Sequence, residues 1–423
     1  GFIAQQTSQP RTNCTMISSL LASVALVLGP STPMHHLHTA PRATAPSLAI
    51  RESRLAPITE VAPGERYRAA ADGSKYYSGR KPESLEAIRN AVKANVGNRK
   101  VVVITGASSG LGLYCVEALL AEEGYFVIAA VRDPEKMAAE AEKAGLKSTD
   151  YAAMELQLAS LASVKDFATD LAELLGARGL DRLVCNAAVY LPTDPKPRFT
   201  DDGFEMSLGV NHLGHFLLVQ LLLPALQKAE KARVCIVGSV TGNKNTVAGG
   251  LVKPVADVGE LSGLRGGPGH VMVDGGKFDG AKAYKDAKAL NMMTVRELDR
   301  RLHAETGIVF NSMYPGCIAM TSLFREKREW FRYFFFPTLM KAIGSYVTQH
   351  EAGERLAAVV RDDVTAKSGV YWSWNGDAKY MGVGNAGGMG GEIFENSFSG
   401  MVSDRRLNEL CWDYSMAAVK DFL

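Results

Sequence analysis

Acidic residues are missing from the start of this 423-residue chain: the first Asp or Glu is Glu52. A segment without carboxylates does not have the mixed-charge surface of a folded domain. What it has instead is Ser, Thr, Ala and Pro with Arg11, Arg42 and Arg51, the composition of an organelle-targeting peptide. Long apolar runs are scarce too. The run from Met16 to Gly29 is shorter than the roughly 20 residues that a membrane span needs. It fits the apolar part of a signal peptide, with Met16 expected as the true start and the residues before it as non-native. The other reading is a disordered tail with an accidental apolar run. Cysteine is sparse: six residues, Cys14, Cys115, Cys185, Cys235, Cys317 and Cys411, without a CxxC pair. Neither a zinc site nor a disulfide framework is expected, and no metal; a reducing compartment is the simpler setting. Net charge is also lacking. Lys and Arg number 47 against 45 Asp and Glu, a formal +2, so no field for nucleic acid is implied. No internal repeat is visible.

What is present is an alternation of apolar strands and amphipathic helices. Val101–Thr105, Tyr125–Val131, Met154–Leu158, Arg182–Cys185, Arg233–Gly238 and Ile308–Met313 read as strands. Between them, Leu113–Glu122, Pro134–Ala144, Leu161–Leu175, Phe204–Gln227 and Ala283–His303 read as helices. The segment Pro82–Lys93 carries Leu85, Ile88 and Val92 on one helical face. Such alternation predicts an α/β fold of the Rossmann type, a doubly wound parallel sheet covered on both faces. The predicted division is a targeting segment and linker over 1–75 and one nucleotide-binding domain over 76–423. The 44 residues at 240–283 are Gly-rich and without period, and read as an insertion loop before the catalytic helix.

The first strand runs into Thr105-Gly106-Ala107-Ser108-Ser109-Gly110-Leu111-Gly112 and then a helix. Gly106 permits a tight turn, and Gly110 and Gly112 admit close backbone approach. The helix N-terminus offers N–H groups and a positive dipole to a pyrophosphate. The spacing is GxxxGxG rather than the common GxGxxG. The strand-turn-helix context makes Gly106, Ser108, Ser109, Gly110, Leu111 and Gly112 the expected dinucleotide site. The second strand ends at Arg132, with Lys136 one turn on. Two cations there suit the 2′-phosphate of NADPH, with Asp133 as the counter-indication.

Tyr284 and Lys288 stand four residues apart on one helical face. An ammonium near a phenol is expected to lower its pKa from about 10 and so fit it for proton transfer. Asn186 and Ala187 follow the fourth strand. Asn211 is a polar residue in apolar surroundings that needs a partner, with a helix-stabilising amide as its plainer reading. Ser239 ends the fifth strand, where a substrate would lie.

In this order, the TGxxxGxG turn, Asn186-Ala187, Asn211, Ser239 and the Tyr284/Lys288 pair resemble the short-chain dehydrogenase/reductase family. The resemblance covers about Lys100–Gly316. It implies that Tyr284 transfers a proton, Lys288 orients the nicotinamide ribose, Ser239 positions the substrate and Asn211 holds a relay water.

A finer resemblance is to one branch of that family, the light-dependent protochlorophyllide oxidoreductases. It rests on Leu183–Thr193, Lys282–Lys288, Asn291–Leu298, Met313–Arg325, Gly353–Val360 and Ser368–Trp374. The branch implies light-triggered reduction of the C17=C18 bond of protochlorophyllide, with hydride from NADPH. The proton source stays open among Tyr284, Cys317 and water. By position, Pro315, Gly316 and Thr321 are expected at the cofactor, and Tyr314, Cys317, Ser239 and Phe324 at the pigment. Cys317 also reads as a small buried hydrophobe.

Within a predicted lid over 322–345, the run Trp330–Pro337 is nearly all aromatic. It suits a flat ring or a membrane surface, with Arg325, Lys327, Arg328 and Arg332 beside it for a carboxylate or anionic headgroups. The branch carries a cysteine two residues after the lysine of the Tyr/Lys pair, where this chain has Leu290. Gln157 stands where relatives place Asp, and Ala287 replaces a common Ser. The N-terminus then resembles the bipartite address of plastids with extra membranes, implying a chloroplast location with thylakoid association. A homo-oligomer is left open. The competing readings are a dark-acting carbonyl or retinol-type dehydrogenase and a pigment-binding protein without turnover.

Overall fold

The computed structural model describes residues 67–69, 75–77, 82–316, 318, 338, 341, 346–375 and 390–423. Two compact units divide at Ser78/Gly79. In the first, Tyr67–Ala69 and Lys75–Tyr77 pair as a short antiparallel ribbon. The remainder of the predicted 1–75 segment lies outside the described residues.

The second unit opens with helix α1 (Pro82–Asn95) and then alternates: β1 (Lys100–Thr105), α2 (Gly110–Leu120), β2 (Tyr125–Val131), α3 (Pro134–Lys143), β3 (Tyr151–Glu155), α4 (Leu161–Leu175) and β4 (Arg182–Cys185). It continues with α5 (Met206–Leu226), β5 (Arg233–Val237), α6 (Gly280–Leu298), β6 (Val309–Met313) and α7 (Gln349–Arg361). Last come β7 (Val370–Trp374), β8 (Ile393–Asn396) and α8 (Arg405–Val419). One eight-stranded sheet has the order β8-β7-β6-β5-β4-β1-β2-β3. The chain order reverses between β1 and β4, which leaves a crevice beyond the strand ends there.

Burial on both faces explains the strand sequences. In β1, Val101 and Val103 join one core, with Phe216, Leu217, Met292 and Trp412. Val102 and Ile104 point the other way, into a core with Val116, Leu119, Leu356 and Val360. A strand buried on both sides has no polar face, so it reads as an unbroken apolar run. The apolar helix Met206–Leu226 is long enough to cross a membrane, but four-fifths of it is buried inside the protein.

Four features differ from the sequence reading. The third strand is Tyr151–Glu155, because burial keeps alternating to Ser160 and the apolar pattern does not mark where pairing stops. The last strand, β8, pairs antiparallel with β7, so the sheet is not wholly parallel. The segment 240–283 is not a plain loop. It folds as a 3-10 turn (Val240–Gly242) and two single-turn helices (Val247–Leu251, Ser262–Gly266), and Gly280 already belongs to α6. Helix α5 is broken near its start by a π-turn, Gly209–Leu213. There a Cβ on Gly209 would stand 2.3 Å from Thr200 Cγ2, a contact invisible in the sequence.

Two buried histidines lie in and beside the π-turn. His212 bonds Asn291 Oδ1 through Nδ1 (3.2 Å) and Ser415 Oγ through Nε2 (2.8 Å), joining α5 to α6 and α8. Burial pushes His212 down to about 4 and His215 to about 3. Each native ring is therefore neutral at pH 6, while the unfolded rings take up protons below about 6.5. The unfolded state binds the extra protons, so stability is present above about pH 6.5 and is lost as pH falls toward the folded values. Each ring contributes a slope of about 1.4 kcal/mol per pH unit in that window. Urea unfolding between pH 6 and pH 4.5 should show this steep fall, and His212→Gln should remove the share of one ring. An unchanged slope in the variant would contradict a neutral buried His212.

Candidate active site

The expected residues meet at the carboxyl ends of the central strands. Gly106 takes φ +69° and Gly110 φ +54°, both left-handed conformations that favour glycine. Gly112 is a matter of space: a Cβ there would sit 2.4 Å from Gly106 O and 2.7 Å from Asn186 Nδ2. Asn186 lies at the end of β4 and donates through Nδ2 to Thr105 O (2.9 Å). The N–H groups of Asn186 and Ala187 both donate to Thr105 Oγ1, at 2.9 and 3.0 Å. These bonds tie Asn186 and Ala187 to the start of the Gly turn. The first turn of α2 has no acidic residue, and the Ser109 side chain does not cap it, so no side-chain charge or cap offsets the positive end of the helix.

Arg132 and Lys136 are exposed beyond the end of β2. Asp133, the counter-indication to a phosphate, is engaged elsewhere. Its carboxylate caps α3 by accepting from Lys136 N at 2.9 Å. Gln157 follows β3, with its N–H bonded to Ser163 Oγ.

Helix α6 carries Tyr284 and Lys288 to the end of β5. Tyr284 is buried and hydrogen-bonded to Ser239. Ser239 Oγ also lies 2.9 Å from Thr241 Oγ1 and accepts from Thr241 N. Lys288 Nζ donates to Val237 O (2.7 Å) and lies 5.9 Å from the centre of the Tyr284 ring. One expectation is corrected here. The Tyr284 pKa is raised, not lowered, because burial outweighs everything near it; Tyr190 raises it further and the Ser239 bond only partly offsets this. Burial also brings Lys288 down to about 8. With its ammonium turned to Val237 O, Lys288 is not a near partner of the phenol. The Tyr284 hydroxyl is therefore held protonated at neutral pH.

Asn211 sits in the π-turn. Its Oδ1 accepts from Val189 N (2.7 Å) and its Nδ2 donates to Val189 O (2.9 Å). Its main-chain oxygen accepts from Asn291 Nδ2 (2.9 Å) and meets His215 Nδ1 (3.2 Å). The plainer reading of Asn211, an amide that ties structure together, describes what its side chain does. Oδ1 accepts one hydrogen bond and keeps a second lone pair, so an acceptor for the expected relay water remains.

Tyr314, at the end of β6, is buried, and its N–H donates to Trp372 O (2.9 Å). Pro315 O accepts from Arg355 Nη1 (2.9 Å), and Gly316 takes φ +120° against Val347. Cys317, Thr321 and Phe324, the aromatic run Trp330–Pro337 and its basic neighbours lie outside the described residues. Leu290 is fully buried in the core. A side chain at that position packs with apolar neighbours rather than facing the crevice.

Five contributors escaped the sequence reading. Tyr190 packs its ring on Tyr284, with centroids 4.9 Å apart. Arg355 binds the Pro315 turn from α7 and lies over the Trp374 ring at 5.3 Å. Lys282, Lys285 and Asp286 tie the 240–283 insertion to the catalytic helix. Lys285 Nζ donates to Val252 O and Pro254 O, Lys282 Nζ to Asp274 and Asp286, and Asp257 N to Asp286. Only the Tyr/Lys spacing pointed to this helix; its two intervening charged residues gave no sign of an inward role.

A Gly-rich strand-turn-helix and a buried Tyr284 beside Ser239 are the features of the class, and the family model described as short chain dehydrogenase matches residues 100–251. Protochlorophyllide reductase, chloroplastic, of Cucumis sativus is 49% identical over 319 residues, 74% of this chain and 76% of that one. Protochlorophyllide reductase A, chloroplastic, of Hordeum vulgare is 45% identical over 372 residues, 86% of this chain and 89% of that one. The chain belongs to the protochlorophyllide reductase family. Among solved structures, NADPH-bound carbonyl reductase from chicken fatty liver aligns at TM-score 0.48 and 23% identity, over 64% of this chain and 95% of that one.

Proposed function

We propose that this protein reduces the C17=C18 double bond of protochlorophyllide to give chlorophyllide, using NADPH and light, in the chloroplast. One observation carries the reading. The Gly106–Gly112 turn, Asn186, Ser239 and Tyr314 follow the carboxyl ends of β1, β4, β5 and β6, and Tyr284 lies beside Ser239, in a chain of the protochlorophyllide reductase family. The cradle fits a dinucleotide because Gly106 and Gly110 take left-handed conformations in a tight turn and the first turn of α2 carries no acid. When bound there, NADPH supplies the hydride, to C17.

The chain's own residues do the rest. Backbone N–H groups of Ser108–Gly112 hold the pyrophosphate. Arg132 and Lys136 take the 2′-phosphate, now that Asp133 is occupied as a helix cap. Tyr284 gives its proton to C18. A raised pKa suits a donor that must stay protonated until negative charge appears beside it. Ser239 holds the Tyr284 hydroxyl, and Lys288, anchored on Val237 O, orients the nicotinamide ribose. Tyr314 lies at the pigment, and the Pro315–Gly316 turn passes the nicotinamide. Relatives named chloroplastic and the acid-free N-terminal segment support the location. Contact with the thylakoid surface and self-association belong to the same proposal; Trp330–Pro337 would carry the membrane contact.

The test is a dark-then-flash assay with protein, NADPH and protochlorophyllide. Product absorbance that appears only after light supports the reading. Equal turnover in darkness would favour a carbonyl-type dehydrogenase, and pigment binding without product a non-catalytic role. Cofactor choice has its own test. Charge-assisted contacts to a phosphate are worth about 1.5–3 kcal/mol. Arg132→Leu with Lys136→Leu should therefore raise KM for NADPH at least about ten-fold and leave KM for NADH unchanged. Equal effects on both cofactors would remove these two residues from the phosphate site.

A further inference from the structure

His215 bonds to both anchors of the segment that links the cofactor turn to Tyr284. Its Nε2 lies 2.9 Å from Thr105 Oγ1, and its Nδ1 lies 3.2 Å from Asn211 O. Proton counting decides the roles. A hydroxyl has one hydrogen and two lone pairs. Thr105 Oγ1 already accepts from Asn186 N and Ala187 N. Its own hydrogen must therefore go outward, and His215 Nε2 is nearer than Val184 O at 3.4 Å. Nε2 is then an acceptor, the proton sits on Nδ1, and Nδ1–H donates to Asn211 O. The ring is 1% exposed.

The consequence is geometric. Residues 186 and 187 hang from Thr105, and residue 189 hangs from the Asn211 amide. The next residue, Tyr190, places its ring on Tyr284. One imidazole joins both hangers. We propose that His215 is a positioning residue, a neutral Nδ1–H tautomer that fixes the distance between the dinucleotide turn and the segment seating Tyr190 against Tyr284. Its catalytic effect rests on the function proposed above; its effect on the turn does not.

The test separates the two ends of the ring. In ¹⁵N spectra of histidine-labelled wild-type protein, the signal missing from His215→Asn should be an Nδ1–H tautomer that does not titrate from pH 8 to pH 5. An Nε2–H or charged ring would overturn the proposal. An Asn amide reaches the position of Nδ1 and a Gln amide that of Nε2. Each lost bond is worth roughly ten-fold. Thus His215→Asn should weaken NADPH binding about ten-fold, read by cofactor fluorescence, with kcat within about two-fold of wild type. His215→Gln should do the reverse. Variants that lose Tm alone, with affinity and kcat unchanged, would show a packing role and overturn it. Wild-type protein that binds NADPH but leaves protochlorophyllide unreduced after a flash would instead defeat the function proposed above. The tautomer and the NADPH affinities would still read out His215.

Discussion

Tyr284→Phe is expected to lower light-driven turnover by about 10²–10⁴-fold, the usual contribution of a positioned proton donor. NADPH affinity and Tm should change little. The phenyl ring keeps its place against Tyr190, and only the hydroxyl and its bond to Ser239 are removed. Single-turnover kinetics after a flash would locate the loss. Hydride transfer should survive and proton transfer should stall, so an intermediate should persist that wild type clears. A variant at wild-type rate would move the proton source to Cys317 or to water. The raised pKa adds a condition. Because burial keeps the phenol protonated, the activity should show no fall between pH 7 and pH 9 from loss of this proton. A fall there would report another group, and Lys288, brought to about 8, is the nearest to titrate.

Gly112→Ala is expected to abolish NADPH binding, by at least about a hundred-fold, while the rest of the sheet stays folded. The added carbon would meet Gly106 O at 2.4 Å and Asn186 Nδ2 at 2.7 Å. Neither neighbour is a flexible side-chain end. Gly106 O is main chain in a left-handed turn, and Asn186 Nδ2 is bonded to Thr105 O. Relief requires the turn to open, which removes the N–H groups from the phosphates. Gly112 is buried where α2 packs on the turn, so stability should drop as well, within the roughly 1–3 kcal/mol typical of overpacking. Equilibrium titration with NADPH, alongside thermal unfolding, checks both halves. Unchanged affinity would show that the cradle does not hold the cofactor.

Much of this was legible in the residues because the signals were local. β1, β2 and β4 read as strands since burial on both faces leaves them apolar, apart from Lys100, Thr105 and Arg182 at their ends. Leu161–Leu175 read to the residue, and in the structure Ser160 caps it. The Gly turn and the Tyr284/Lys288 spacing named the chemistry. Longer-range facts were not legible. Whether Lys288 lowers the Tyr284 pKa depends on where its ammonium points, and Val237 O, far off in sequence, decides that. The meaning of Asp133 depended on a cap it supplies to α3. The π-turn lies where Gly209 packs against Thr200, a contact between residues distant in local pattern, and the inward role of Asp286 comes from the folded insertion. β8 went unread because an antiparallel edge strand of four residues, half exposed, carries little apolar pattern.

The central claim is that light drives hydride from this cofactor site onto the pigment. NADPH deuterated at both C4 positions, mixed with protein and protochlorophyllide, tests it directly. Chlorophyllide isolated after a flash should carry one deuterium, at C17, and the dark control should contain no product. Product without deuterium at C17, or labelled product already formed in darkness, would contradict the account.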